Sequence, residues 1–250
     1  MVLGLIQPIL YLALFGPLLE RVVNAPGFPP GDAWQVFVPG LLVQLGIFGA
    51  AFVGFGLVAE YRAGVIERSR VTPASRTALL LGRVARDVIV LLVQAVLLTA
   101  CAAMFGLRAP WGGVVLGVAV VGLLGAAFSS LSYAAALTLK SEDALAPLLN
   151  GLAVPVLLLS GILLPMSLAP VWLRGLSDAN PLKWVVEGVR AAFRGSVGTS
   201  AVGWDLLATA GLVAVGVVVG TRVPEGVRLT GRTARSSAER VLGNRLVTFR

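Results

Sequence analysis

The sequence predicts an all-α integral membrane protein with six transmembrane helices, and three observations carry that expectation. Of its 250 residues 57% are hydrophobic and only 13% charged, where a soluble domain has about a quarter charged, and the mean hydropathy is +0.91. Apolar runs of about twenty residues, enough to cross about 30 Å of hydrocarbon, recur along the chain. Between them lie proline-rich or charged interruptions, of which residues 60–87 form the longest before the C-terminal tail.

The first run, 2–19, is broken only by Gln7, Pro8 and Pro17. A secretory signal peptide is the alternative, but a positive n-region and a small-residue cleavage site are missing. Residues 20–32, with Pro26, Pro29 and Pro30, are expected as an irregular loop, because proline lacks the N–H that a helix interior needs. The second span covers 34–59. Its glycines, Gly40, Gly46, Gly49, Gly54 and Gly56, let helices approach closely where lipid supplies no hydrophobic drive; contact with a substrate is the other reading.

Residues 60–87 carry Arg62, Arg68, Arg70, Arg76, Arg83 and Arg86. Each would cost roughly 2.5–3.5 kcal/mol at a bilayer centre, so the stretch is expected in water or at an interface. Within it Thr72 reads as an N-cap and Pro73 as the first helical position, where no N–H partner is lost. The third span is expected over 84–105 and the fourth over 111–139, a hairpin turned at 106–110. Ser141, followed by Glu142 and Asp143, reads as the next helix start, and the fifth span runs over 144–164, loosened at Pro147 and Pro155.

Residues 166–195 are too polar to span a membrane and too apolar for a simple loop. Asn180 caps and Pro181 opens an amphipathic helix there. Leu182, Val185, Val186, Val189 and Phe193 share one face, and Lys183, Glu187, Arg190 and Arg194 the other. Such a helix is expected to lie in the membrane interface. The last span covers 204–220. The chain thus divides into a membrane domain, 1–222, and a basic tail, 223–250.

The net charge is +8, but the basic residues flank apolar spans, which points to an anionic lipid surface as partner and away from nucleic acid. Residues 60–87, Lys140 and the tail from Arg222 hold 14 of the 20 basic residues. The positive-inside rule then makes that face cytoplasmic, with both termini on it, in a cell membrane. The tail is expected on anionic lipid, at about 1 kcal/mol per basic residue near the surface. A single cysteine, Cys101, and no histidine argue against a disulfide framework or a metal site. No phosphate-binding loop of the G-x-x-x-x-G-K-[ST] kind is present, so ATP is not bound by this chain in that manner.

Glu60, Asp87 and Asp205 fall near the expected span ends, which disfavours a proton-driven carrier. Polar groups inside spans include Gln44, Gln94 and Thr99. Ser129, Ser130, Ser132, Tyr133 and Asn150 are the candidates for a translocation path; hydroxyls bonding back to their own helix are the alternative.

A run of features carries a resemblance. Glu60 ends a span, Gly64 and Glu67 come next, then Thr72-Pro73 and Leu-Leu-Leu-Gly-Arg at 79–83. Later come Leu-Ser-Gly-Ile-Leu-Leu-Pro at 159–165 and Ala-Asn-Pro-Leu-Lys-Trp at 179–184. In this order, over nearly the whole chain, they resemble the permease subunits of type 2 ABC transporters, and among these the daunorubicin-resistance-type drug exporters.

The resemblance implies a cytoplasmic coupling loop that presses on a separate ATP-binding subunit, with Glu60, Arg62, Gly64, Glu67, Arg68, Thr72 and Pro73 as its positions. A basic flank that only fixes topology is the alternative for the same residues. It also implies short outer-leaflet helices before the last span, marked by Ser160, Gly161, Pro165, Asn180 and Pro181. ATP and Mg would be bound by the partner subunit, and a second permease, identical or a sister chain, would complete the assembly. The cargo would be a hydrophobic or amphipathic compound, such as a drug, an antibiotic or a lipid-like molecule, moved outward. The sequence departs from the family at its start, where Met1 leads directly into the first apolar run instead of an amphipathic helix, and in its longer arginine-rich tail. A membrane scaffold that recruits a cytoplasmic partner is the second reading. An intramembrane enzyme is disfavoured by the lack of a nucleophile beside a base.

Overall fold

A computed structural model describes residues 6, 7, 9–14, 32–63, 76–139, 141–162, 166–196, 202–204, 206–216 and 218. Among them the architecture is all-helical: α1 (Ala33–Ala51), α2 (Val53–Arg62), α3 (Arg76–Met104), α4 (Trp111–Leu139), α5 (Glu142–Leu159), a 3-10 turn at Met166–Leu168, α6 (Val171–Asp178) and α7 (Pro181–Phe193). Four stretches are long and apolar enough to cross a membrane: Ala33–Glu60, Ala78–Met104, Trp111–Leu139 and Glu142–Leu159. These are the second to fifth of the six expected spans. The first is described only at residues 6, 7 and 9–14, and the last as a shorter apolar helix, Val202–Gly216.

The second span is one rod with a break at Phe52, the turn between α1 and α2. α4 packs along both segments, and α3 lies against α1 and α4. The core therefore forms where α1, α3, α4 and α7 meet, around Leu41, Leu42, Leu98, Leu124, Val189 and Phe193, all almost fully buried. A second cluster, with Leu57, Val58, Val84, Tyr133 and Leu145, gathers at the α2 end.

The third helix is already formed at Arg76, in keeping with a helix that starts ahead of its span, and Arg83, Arg86 and Asp87 fall within the apolar stretch Ala78–Met104. Thr72 and Pro73, the expected start, lie outside the described residues. Ser141 occupies the N-cap position of α5 with extended backbone, as expected, and its hydroxyl makes no capping bond. One expectation needs correction. The amphipathic helix α7 turns its apolar face to protein: Leu182, Val185, Val186, Val189 and Phe193 pack on α1 and α4. Its hydrophobic stripe closes the bundle's core.

The two ends of the bundle differ in character. At one end the start of α1, the turn at 105–110, the end of α5 and the α6–α7 pair come together. Trp34 stacks on Phe105 with ring centroids 6.1 Å apart, and Gln35 Nε2 donates to the Arg108 carbonyl. Close approach at this end needs glycine at 113: a Cβ there would lie 2.3 Å from the Ala192 carbonyl oxygen of α7. At the other end lie the termini of α2 and α4 and the start of α5, with the charged residues of α3.

Candidate functional site

The charged end holds the described part of the expected coupling region. Glu60, at the end of the second span, pairs with Arg83 of α3 at 2.5 Å. Arg62, two residues on, faces Glu142 at the start of α5 at 3.8 Å. Both pairs are substantially exposed, so each contributes at most about 1 kcal/mol to stability. Their geometric effect is larger: the last turn of α2 is tied to two other membrane helices at the point where the 60–87 stretch leaves it. Gly64, Glu67, Arg68, Thr72 and Pro73 lie outside the described residues.

A third charged group sits deeper. Asp87 is buried against α4, where the Tyr133 hydroxyl donates to its Oδ2. Arg86, largely exposed, donates to Oδ1 through Nε at 3.2 Å and Nη2 at 3.0 Å. The carboxylate is thus bonded on both oxygens, the arrangement that makes an ionised group tolerable away from water. No sequence pattern pairs positions 87 and 133; an acid beside an apolar run is the only local cue.

The candidate path residues have separate surroundings. Ser129 and Ser130 donate to the carbonyls of Gly125 and Ala126 one turn back on α4. Ser132 bridges helices: its hydroxyl donates to the Ala51 carbonyl and accepts from Gly54 N–H at 2.9 Å. It therefore supplies partners at the break in the second span, where Phe52 interrupts the helix. Tyr133 is buried on Asp87. Asn150, exposed on α5, donates to the Ala146 carbonyl. These five residues do not converge on one cavity.

The residues of the outer-leaflet motif do converge, apart from Pro165, which lies outside the described residues. The last carbonyls of a helix have no intrahelical donor, and the α6–α7 pair supplies donors to the end of α5. Asn180 Nδ2 donates to the Val156 carbonyl at 3.0 Å and Ser177 Oγ to Leu159 at 2.6 Å. Ser160 donates to the Leu157 carbonyl. Asn180 also caps α7, accepting from Leu182 N–H, with Pro181 at the first position. Gly161 has φ +70°, the left-handed turn that ends α5.

Arg190 completes this junction, and here the helical periodicity, which assigns it to a solvated face, is misleading. It is 5% exposed. Its Nε donates to the Val36 carbonyl of α1, and Nη2 to the carbonyls of Gly161 and Ile162. Burial pulls its pKa down to about 10, so it keeps its charge at neutral pH, held by carbonyl dipoles at a helix C-terminus where a cation is favoured.

Comparison with known proteins gives the chain a family. The ABC-2 type transporter family matches residues 1–193. A daunorubicin resistance ABC transporter permease protein of Streptomyces coeruleorubidus is 26% identical over 212 residues, 84% of this chain and 74% of that protein. Putative transport permeases ycf38 of Cyanophora paradoxa and Pyropia yezoensis are 26% and 27% identical, covering 75% and 81% of this chain and 65% and 68% of theirs. The chain thus spans about two thirds to three quarters of the length of these relatives. No solved structure matches it significantly. With a family match over three quarters of its length and a bundle of membrane-length helices, the chain belongs to the ABC-2 type transporter family and is a multi-pass membrane permease.

Proposed function

We propose that this chain is the membrane subunit of an ATP-driven exporter, working with a second permease, identical or a sister chain, and with separate ATP-binding subunits that carry ATP and Mg. The cargo is a hydrophobic or amphipathic compound, and the drug resistance for which the Streptomyces relative is named favours a drug or antibiotic. In this reading both termini and the 60–87 stretch face the cytoplasm of the cell membrane.

The observation that carries the reading is the charged end. Glu60 and Arg62 bracket the exit of the second span and are paired to α3 and α5. A push on the 60–87 stretch would therefore reach three membrane helices through ion pairs within about one helical turn. Closure of the ATP-binding subunits supplies that push, and the permease performs no chemical step. Interconversion requires that the two states differ in their contacts with the partner, and the exposed charges at this end meet that need.

The test is co-reconstitution of the full chain with its ATP-binding subunit in inside-out vesicles. ATP-dependent uptake of an amphipathic fluorescent dye, lost without the ATP-binding subunit, supports export. Equal uptake with and without ATP contradicts it.

A further inference from the structure

α5 is a membrane-length helix that the rest of the chain hardly covers. Among the described residues, 6% of its membrane window is buried, against 67%, 39% and 50% for the other three candidate spans. It is fastened at its ends. Leu145 is fully buried in the second cluster, Glu142 faces Arg62, and Asn180 and Ser177 hold the last carbonyls. Between these points Pro147, Asn150, Gly151, Val154 and Leu158 are exposed. Positions 147, 150, 154 and 158 follow at spacings of three and four, so they share one face. The exposed middles of α3 and α4 are apolar, as at Val93, Val96 and Leu123, and suit lipid. α5 presents a carboxamide at the same depth: Asn150 is the ninth of its 18 residues.

One bond, from Nδ2 to the Ala146 carbonyl a turn back, uses part of that amide. Among the described residues its Oδ1 accepts no bond, and one Nδ2 hydrogen remains. Hydrocarbon offers neither a donor nor an acceptor, so an amide facing lipid at mid-span is costly. A free acceptor beside a free donor is self-complementary. Two copies inserted with one topology are related by a twofold axis along the membrane normal, which sets identical residues of facing helices at one depth. Two Asn150 amides on that axis exchange hydrogen bonds, each Oδ1 accepting from the other Nδ2, and a single such polar pair fixes the register of packed helices. At Gly151 an added Cβ would meet nothing within this chain, which leaves room for a second backbone. Asp143 lies on the same face two turns earlier, at the charged end, where water and salt screen its repulsion from the other copy. We infer that the exposed face of α5 seats a second copy of this chain, with Asn150 paired to the partner's Asn150 at mid-membrane. The inference rests on the proposed function for the presence of a second permease, and makes that permease identical.

The experiment uses the full chain with Cys101→Ala, which removes its one thiol, in lipid vesicles without an ATP-binding subunit. Val154→Cys, one turn from Asn150, is compared with Val93→Cys on the exposed side of α3 under a membrane-permeant oxidant. Val154→Cys is expected to give at least five-fold more disulfide-linked dimer than Val93→Cys at equal dilution in lipid. Adding Asn150→Leu should cut that yield at least three-fold, while Asn150→Gln, which keeps donor and acceptor, retains most of it. An unchanged melting midpoint of the reduced chain reports an intact fold. Equal yields at positions 93 and 154, or no dimer at either, overturn the inference. So does a Val154→Cys dimer that Asn150→Leu leaves untouched, which would free Asn150 for cargo, and so does linkage in the native membrane to a different permease in place of a second copy. The transport reading fails separately: an α5 dimer without ATP-dependent dye uptake refutes export alone, and uptake without that dimer refutes this interface alone.

Discussion

The side-chain amide of Asn180 serves two helices at once: Oδ1 accepts from the Leu182 N–H at the start of α7, and Nδ2 donates to the Val156 carbonyl near the end of α5. The two functions separate by substitution. Asn180→Asp keeps the cap acceptor and loses the donor, whereas Asn180→Ala loses both. Caps and single hydrogen bonds are each worth about 1 kcal/mol. Asn180→Ala should therefore lower stability by about 2 kcal/mol and Asn180→Asp by less, measured as thermal unfolding in detergent by tryptophan fluorescence. Equal effects would contradict the double role.

Arg190 is predicted to depend on its fork and not on charge alone. Lysine carries the charge but cannot reach the carbonyls of Val36, Gly161 and Ile162 together. Arg190→Lys should then be clearly destabilised, and Arg190→Met more so, with losses on the order of 2–4 kcal/mol because charged hydrogen bonds are worth about 1.5–3 kcal/mol. Faster hydrogen exchange in α6–α7 and at the start of α1 is the accompanying signature. A Lys variant as stable as the parent would show that charge suffices.

At the break in the second span, Gly54 and Ser132 make a distinguishing pair. A Cβ at position 54 would lie 2.6 Å from the Ser132 hydroxyl and 2.7 Å from the Ser132 carbonyl oxygen. Removing the hydroxyl leaves the backbone clash, so the double variant Gly54→Ala/Ser132→Ala should not recover the stability lost by Gly54→Ala. Recovery in a melting experiment would place the clash on the side chain alone. Ser132→Ala by itself loses two bonds, about 1–2 kcal/mol.

Local signals are legible in the sequence and long-range ones are not. The bounds of α4 follow from uninterrupted hydropathy between Trp111 and Leu139, and the start of α7 from Asn180 and Pro181, because each signal lies within a few residues of the boundary it marks. Hydropathy scores Arg83 and Arg86 as aqueous and so starts the third span at Val84, while the partners that pair with them across or along helices, Glu60 and Asp87, are not visible to it. Arg190 misleads for the same reason: helical periodicity assigns a face, but the carbonyls that neutralise its burial come from positions 36, 161 and 162. The separation of Ser129, Ser130, Ser132 and Tyr133 into back-bonded, bridging and acid-bound groups depends on neighbours that sequence spacing does not reveal.

Tyr133→Phe should leave Asp87 Oδ2 buried without its donor. The loss is roughly 1–3 kcal/mol, and Asp87→Asn in the same background should return part of it, since a neutral amide is cheaper to bury than a carboxylate with one free oxygen. A double-variant cycle on melting midpoints checks this; simple additivity would mean the two groups do not interact.

Coupling of this permease to an ATP-binding subunit through its charged end is tested by mild-detergent purification of the tagged chain from its native membrane, with mass spectrometry and an ATPase assay on the eluate. The parent is compared with Glu60→Arg and with Glu60→Arg/Arg83→Glu, which restores the pair of opposite charges. We expect an ATP-binding subunit at equal stoichiometry with ATP turnover, impaired several-fold in the single variant and recovered in the double. A folded chain that brings down no ATP-binding subunit and shows no ATPase activity would refute the coupling and leave a membrane scaffold as the reading.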